Sequence, residues 1–300
     1  MFSKVLIATY SSPASLATIG CAKSLYLLGA RECVLAQCFL IREHVAFPDQ
    51  IKAHIEATLG RQKRILEAQG LRMIVVAEPG YPAREIPRIA AEKQCSLIVI
   101  GSHGHNLGYE MFLGGTAAEL LHQVTHPILM IRLKIDEDTG QAVVLGRARD
   151  FRRHVLYATD FSGHAERAFD YVSTIVECGA RRVTLLHVQD KTRLGTHLKD
   201  SVEEFNKIDR ERLEVLRGRL KAIGKARIDV EISYGSPIEE ILKQAKTGKA
   251  SLVIMGGRGR GFVSELFLGS ASHNVARHSE APVLLIADQH KNARTAKGRQ

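Results

Sequence analysis

The stretch LVIMGGRGRGFVSELFLGSAS, residues 252–272, decides the fold. It opens with a short apolar run that ends at Gly256, which is typical of a strand buried in a parallel sheet. Three further glycines follow closely, and Gly269-Ser270 begins a segment with the character of a helix. A strand, a glycine-rich turn and a helix in this order indicate an α/β fold.

The same pattern occurs twice in the chain. The later matches have an offset of 155 residues, whereas the first strand repeats at an offset of 150. Because solenoid repeats are about 20 to 50 residues long, a repeat of this size is a whole domain. The matching segments are VLIAT at 5–9 with VLYAT at 155–159, LIVIG at 97–101 with LVIMG at 252–256, and HPILMI at 126–131 with APVLLI at 281–286.

We therefore predict two tandem, open, five-stranded parallel sheets with helices on both faces, a Rossmann-like α/β architecture. The first domain, copy one, is placed at residues 1–135 and the second, copy two, at 152–288, with a linker at 136–151 and a basic tail at 289–300. Within the linker, Ala142 to Leu145 could add a short strand. Copy two is predicted to have strands at 154–158, 182–187, 228–233, 252–255 and 283–286, and a helix from Val202 to Ile223 whose mainly apolar face includes Asp209.

Composition limits the compartment and the class of protein. The chain is 45% hydrophobic and 25% charged, which is ordinary for a globular protein. No apolar window approaches the 18 residues of a membrane span, so we expect a cytoplasmic protein without a membrane contact. The five cysteines, which lack a C-x-x-C spacing, are predicted to be reduced thiols, mostly in the core.

The net charge of +10 raises the question of nucleic-acid binding. Much of the excess lies in Arg147 to Arg153 and in the tail from Lys291 to Arg299, without aromatic residues for base stacking. A solvated basic surface is the simpler interpretation, so nucleic acid is not an expected partner.

The glycine motif of copy two, with the spacing G-x-x-G-x9-G-S from Gly256 to Ser270, predicts a phosphate site. Glycines at the carboxyl end of a strand let backbone N–H groups approach an anion, and the start of the next helix also favours negative charge. Ser270 and Ser272 could donate hydroxyl hydrogens to a phosphate; the simpler alternative, which we favour less, is that Ser270 is only the helix N-cap. Asp160, after the first strand, would face the same crevice; it could also cap the helix that begins near Gly163, and the two roles are compatible.

With these motifs, the sequence resembles the tandem universal stress proteins, of the subclass that binds ATP or AMP. The resemblance covers nearly the whole chain and implies an adenine-nucleotide alpha-hydrolase-like fold. It implies that adenine lies near Asp160 and Val188, and that ATP, which Mg²⁺ could accompany, or AMP is the ligand. The nucleotide-binding residues implied are Ala158, Asp160, Val188, Met255, Gly256, Arg258, Gly259, Gly269, Ser270, Ala271 and Ser272.

Copy one keeps the glycine spacing but loses polar groups. Gly115 and Ala117 stand at the positions of Ser270 and Ser272, and Tyr10 replaces Asp160. Copy one is therefore predicted to bind nucleotide weakly or not at all. Its histidines have spacings that can hold a metal but need not meet in space, so no metal site is predicted; they are His103, His105, His122 and His126.

The expected function is that of a nucleotide-binding stress-response regulator that acts on a protein partner, with no catalytic residue assigned. The alternative is a slow ATP-hydrolysing or nucleotidyl-transferring enzyme, although the chain has no Walker lysine motif. A dinucleotide oxidoreductase is disfavoured because the glycines follow the fourth strand and not the first. The resemblance implies a homodimer formed through final strands such as Val283 to Ile286; alternatively, the two copies pair with each other.

Overall fold

The computed structural model describes residues 1–10, 12–40, 49–102, 113–122, 126–136, 138–139, 141–145, 150–190, 202–258 and 268–286. Copy one contributes five parallel strands in the spatial order β3-β2-β1-β4-β5. Its elements are β1 Lys4–Ala8, α1 Pro13–Ile19, α2 Ala22–Leu27, β2 Glu32–Phe39, α3 Asp49–Glu67, β3 Arg72–Pro79, α4 Pro82–Glu92, β4 Leu97–Gly101, α5 Gly115–His122 and β5 Ile128–Ile131.

Copy two repeats this order as β10-β9-β8-β11-β12, after a short antiparallel hairpin of β6 and β7. The strands and the long helix predicted from its sequence are confirmed, and β7 is the short strand foreseen near Ala142. The elements are β6 Leu133–Ile135, β7 Ala142–Val144, β8 Val155–Thr159, α6 Gly163–Glu177, β9 Arg182–Asp190, α7 Val202–Ile223, β10 Arg227–Gly235, α8 Pro237–Thr247, β11 Leu252–Gly256, α9 Ser270–His278 and β12 Val283–Ile286.

The two predicted sheets are joined into one sheet of ten strands. The final strand of copy two pairs antiparallel with the final strand of copy one, with Val283 opposite Met130 and Leu285 opposite Ile128. The open alternative, that the copies pair with each other, is therefore the arrangement found. Since β5 and β12 now each have a neighbour on both sides, these strands have no free edge for a homodimer.

The core consists of two layers, one on each face of this sheet. One layer packs the sheet against α1, α2, α3, α6 and α7, and includes Leu35, Tyr157 and Phe169. The other packs it against α4, α5, α8 and α9, and includes Ile100 and Val275. Both layers contain residues of both copies, so burial of apolar surface continues across the joint between them.

The five cysteines are free, and four of them are buried. Burial raises the pKa of Cys21 and Cys33 to about 12, so these thiols stay protonated at neutral pH. Among the described helices, none is both long and apolar enough to cross a bilayer.

A buried histidine, His154, forms hydrogen bonds that hold the beginning of β8 in place. His154 Nδ1 lies 2.8 Å from the carbonyl oxygen of Gly248, and Nε2 lies 2.8 Å from the hydroxyl of Thr184. Because a carbonyl oxygen only accepts, the ring hydrogen sits on Nδ1 and Nε2 accepts from the hydroxyl. Burial lowers the pKa of His154 below its usual value of 6.5, and it likewise lowers the pKa of His126 and His273.

We predict that the free energy of unfolding decreases as the pH falls below about 6.5. The unfolded chain takes up protons on these histidines near that value, while the folded chain keeps them neutral, so protonation favours unfolding. Each such group adds a slope of up to about 1.4 kcal/mol per pH unit. Urea unfolding between pH 7.5 and about 5 measures the slope, and His154→Asn should reduce it. An unchanged slope in that variant would contradict the role of His154.

Candidate functional site

The predicted ligand residues converge where three neighbouring strands of copy two end. Strand β8 lies between β9 and β11, with Thr159 opposite His187 and Ala158 opposite Met255. Asp160, Val188 and Gly256 therefore lie side by side at the carboxyl edge of the sheet. This edge is the usual ligand crevice of an open α/β sheet.

The ends of the glycine loop are held by backbone hydrogen bonds. Gly257 N–H donates to the carbonyl of Ile286 at 2.8 Å, and Gly269 N–H donates to the carbonyl of Gly257 at 2.9 Å. The second bond brings the beginning of α9 back to the end of β11. Gly259 and residues 260–267 lie outside the described residues.

Helix α9 begins with Gly269 as its N-cap, so the alternative of Ser270 as the cap is wrong. Ser270 is the first helical residue and is exposed, and the first amide that bonds back within the helix is that of His273, to the carbonyl of Gly269 at 3.0 Å. Within an α-helix, the amides of Ser270, Ala271 and Ser272 have no acceptor. These N–H groups, together with the helix dipole, are a local source of positive potential.

Ser272 is buried and its hydroxyl is already used within the loop. Its Oγ donates to the carbonyl of Gly256 at 2.8 Å, which ties the first turn of α9 to the end of β11. The hydroxyl hydrogen that was predicted to bind a phosphate is therefore donated to the backbone. Through this bond, Ser272 helps to fix the position of α9.

Gly256 is required by packing within the protein itself. A Cβ at this position would lie 2.8 Å from the backbone carbon of His164 and 2.9 Å from the nitrogen of Ala165. The beginning of α6 therefore approaches β11 too closely for any side chain. Ala158 and Met255 are only 6% exposed and pack in the core, and Arg258 is half-buried.

Asp160 shapes the turn after β8. Its Oδ1 accepts the N–H of Ser162 at 3.0 Å, and Ser162, not Asp160, caps α6 by accepting the N–H of Ala165 at 3.3 Å. Between them, Phe161 has a φ of +58°, a left-handed conformation that is uncommon for a residue with a side chain. Its N–H is held by Thr159 Oγ1 at 3.0 Å.

A polar network that the sequence analysis did not assign supports this turn. His187 Nδ1 lies 2.7 Å from the carbonyl of Thr159, and its Nε2 lies 3.4 Å from Asp209 Oδ2 on α7. Gln189 donates to the same carboxylate oxygen at 3.0 Å, and the ring of Phe161 lies 4.7 Å from that of His187. The available signal was Asp209, a charged residue on the otherwise mainly apolar face of a helix.

Two regions of the chain match the model of the universal stress protein family, residues 1–132 and 152–287. The chain belongs to the universal stress protein family. Universal stress protein MJ0577 of Methanocaldococcus jannaschii is 34% identical over 153 residues, which cover 45% of this chain and 94% of the relative. A universal stress protein of Thermus aquaticus is 36% identical over 135 residues, or 44% and 96% of the two chains.

The tandem arrangement also has a structural counterpart. A universal stress protein from Archaeoglobus fulgidus superposes with a TM-score of 0.70 at 23% identity, covering 96% of this chain and 97% of that one. At this identity the likeness concerns the fold alone.

In this universal stress protein, the ends of the copy-one loop are closed by the same backbone hydrogen bonds, but the side chains around them differ. Ser102 N–H donates to the carbonyl of Ile131 at 2.8 Å, and Gly114 N–H donates to the carbonyl of Ser102 at 2.9 Å. These bonds correspond to those of Gly257 and Gly269 in copy two. Ala117, at the position of Ser272, has no hydroxyl to make the corresponding bond. Tyr10, at the position of Asp160, is 37% exposed.

The base of the copy-one crevice is neutral. Gln62 on α3 accepts the hydroxyl of Thr9 at 2.7 Å and donates to the carbonyl of Tyr10 at 3.4 Å, where copy two uses His187 and Asp209.

The copy-one histidines do not form a cluster in the described part of the chain, where no group of three or more metal-ligating side chains occurs. His103 and His105 lie outside the described residues. The ring of His122 stacks on that of His273 in copy two, with centroids 5.3 Å apart.

We predict that Gly256→Ala lowers the free energy of unfolding by about 1–3 kcal/mol in the absence of any ligand, because the new methyl group would press against the α6 backbone. The control is Gly218→Ala on α7, where a Cβ meets nothing within 4 Å; the helix should gain about 0.5–1 kcal/mol. Urea unfolding of both variants checks the contrast, and a Gly256 variant as stable as the parent would refute the packing constraint.

Proposed function

We propose that this universal stress protein is a stress-response regulator that binds ATP or AMP in copy two. The observation that carries the proposal is the row of amides at the first turn of α9, which hydrogen bonds hold against the end of β11. The phosphates would lie between these N–H groups, from Ser270 and Ala271, and the glycine loop from Gly256 to Gly259. Converging backbone amides at a helix N-terminus are a general means of binding phosphate.

The adenosine would extend from the phosphates across the ends of β8 and β9. Asp160 offers a carboxylate oxygen to a ring or ribose donor, and Val188, which follows His187 on the neighbouring strand β9, is half-buried. Ala158 and Met255 would form the floor of this part of the crevice. Because the turn around Phe161 is held by several hydrogen bonds, little conformational freedom would be lost on binding.

The remaining predicted site residues have indirect or charge-based roles in the proposal. Gly269 lets α9 begin close to Gly257, and Ser272 fixes that helix through the carbonyl of Gly256. Arg258 follows the closed part of the loop and would add positive charge near the phosphates. A Mg²⁺ ion accompanying ATP would be held by phosphate oxygens, with Asp160 as the nearest candidate carboxylate.

Copy one would bind nucleotide weakly or not at all. Its amides at the start of α5 are arranged similarly, but a tyrosine occupies the place of the adenine-side carboxylate. Without the bond that Ser272 makes, the first turn of α5 is less firmly tied to β4. One chain would thus contain one working site.

Binding without rapid turnover suits the chemistry of the crevice best. The obvious base, His187, has one ring nitrogen on the carbonyl of Thr159 and the other on Asp209, so neither nitrogen is directed at a ligand. We therefore propose that nucleotide occupancy changes the affinity for a protein partner. The alternative of slow ATP hydrolysis or nucleotidyl transfer would rely on Asp160 to hold Mg²⁺ and on Arg258 to stabilise a departing phosphate.

The purified chain is expected to retain or bind about one adenine nucleotide, by mass spectrometry of the released ligand and by calorimetry with ATP and AMP. Ser270→Glu should weaken binding about tenfold or more, because a carboxylate would repel the phosphates. An acidic residue at a helix N-terminus does not harm folding, so the loss would reflect the site. The matched control, Gly115→Glu at the equivalent position of copy one, should bind like the parent.

Three outcomes would count against the proposal. If calorimetry detects no binding of any adenine nucleotide, the proposed function is refuted. If Ser270→Glu and Gly115→Glu change the affinity for nucleotide equally, binding does not take place at the start of α9. Two equivalents of nucleotide per chain refute the account of copy one.

Hydrolysis is tested on the same complex. With ATP and Mg²⁺ we expect the bound nucleotide to remain ATP over many hours, as followed by chromatography of the extracted ligand. Steady release of ADP or AMP that Ser270→Glu abolishes would favour the enzymatic alternative instead.

A further inference from the structure

The two outer edges of the ten-stranded sheet differ in chemistry although they are equivalent by the repeat. At an offset of 155 residues, Ile74 of β3 corresponds to Asp229 of β10, and Val76 corresponds to Glu231. Because successive side chains of a strand point to opposite faces, Ile74 and Val76 lie on one face of β3, and Asp229 and Glu231 lie on one face of β10. Copy two therefore has acidic residues on its edge where copy one has β-branched apolar residues.

Strand β3 exposes apolar side chains at the outer edge of the sheet. Ile74 and Val75 are 37% and 39% exposed, at the edge of a strand of eight residues. In the described part of the chain, β2 is its only strand partner. Natural proteins usually protect such an edge with charges, as β10 does with Asp229 and Glu231.

The backbone of β3 presents a fixed set of groups outwards. Arg72 N–H donates to the carbonyl of Arg31, and Gly80 N–H donates to the carbonyl of Phe39. The backbone groups of the even-numbered residues of β3 are therefore directed towards β2. Because bonding direction alternates along a strand, Met73, Val75 and Ala77 direct N–H and C=O away from the sheet. Pro79, the next outward position, has no N–H and would end any added ladder.

We propose that the chain forms a homodimer in which β3 pairs antiparallel with β3 of a second copy, with Val75 on the two-fold axis. In this register Met73 faces Ala77 of the other copy, and the outward groups form hydrogen-bonded pairs.

On the opposite face of the strand, the same register brings Ile74 against Val76 of the second copy. It also brings Arg72 against Glu78, once at each end, so the pairing is complementary in charge as well as in shape. Two such ion pairs flank an apolar centre. Arg72 and Glu78 already have intrachain partners in Glu32 and Arg88, at 2.7 and 2.8 Å, and would become members of larger ion-pair networks.

The corresponding pairing of β10 with itself would be unfavourable. With Val230 on the axis, Asp229 would face the exposed Glu231 of the second copy at both ends of the contact. Asp229 is ion-paired with Arg182 at 2.6 Å and with Arg227 at 2.9 Å, which lessens the repulsion between the two acids. The contact would still bury charged groups where β3 offers apolar side chains, and burying charge costs free energy. The difference selects β3 as the interface and a second copy of this chain as its occupant, independently of nucleotide binding.

Sedimentation equilibrium of the full chain should give a dimer, and the double variant Ile74→Asp/Val76→Glu should reduce the mass to the 33.1 kDa of one chain. Ile74 is exposed and Val76 is half-buried on the outer edge strand, so the variant is expected to fold, as circular dichroism will verify. A monomeric parent chain overturns the proposal, whether the edge is open or occupied by the chain's own tail. A double variant that folds and stays dimeric also overturns it.

Crosslinking tests the register without relying on destabilisation. Val75→Cys should form a disulfide-linked dimer under mild oxidation, because residues in a hydrogen-bonded antiparallel pair have Cα atoms about 5.5 Å apart, within the range of disulfides. The matched control, Val230→Cys on β10, and the parent chain with its half-buried Cys178 should remain unlinked. Absence of linkage in the Val75→Cys variant, or equal linkage in the Val230→Cys control, refutes the β3 register.

Discussion

The antiparallel pairing of β12 with β5 is the contact on which the architecture depends. Without it, each copy would leave a short, wholly buried apolar strand at the edge of its sheet, with backbone groups unpaired. With it, two sheets become one and two core layers run through both copies. Because the joint is antiparallel while each half is parallel, the carboxyl ends of the two sets of strands lie at opposite edges of the composite sheet. The two candidate crevices are therefore separate.

The crevice of copy two is shaped by hydrogen bonds within the protein. The amides of Gly257 and Gly269 are already used to close the loop, so fewer free donors remain than the count of glycines suggests. These bonds fix the first turn of α9 against the end of β11. The carboxylate of Asp160 is likewise partly used, on the N–H of Ser162. Such prior organisation lowers the entropic cost of binding, and it explains why the polar groups nearest the crevice are also structural.

Much of the fold could be predicted because its signals are local. Short apolar runs such as Leu252 to Met255 specify buried strands, and the spacing from Val202 to Ile223 specifies a helix. The joint between the copies stayed open, because strand composition shows that an edge is apolar but not which strand covers it. In the site, the sequence indicated the crevice but could not distinguish a glycine needed for a ligand from Gly256, which the close approach of α6 demands. It also missed the contact of Asp209 with His187, since these residues are distant in the chain and meet only after α7 packs on β9.

The two copies differ in the side chains at their crevices and on their outer strands. The backbone bonds that close both loops are the same, so the duplicated fold retains its frame where side chains have changed. Copy two has a serine and an aspartate beside its crevice. Its outer strand carries two acidic residues. Copy one has replaced those polar groups, with Tyr10 in the place of the carboxylate and neutral Gln62 at the base of the crevice, and its outer strand has apolar residues in the place of the acids. Under the two proposals, copy two binds the nucleotide and copy one forms the contact with a second chain.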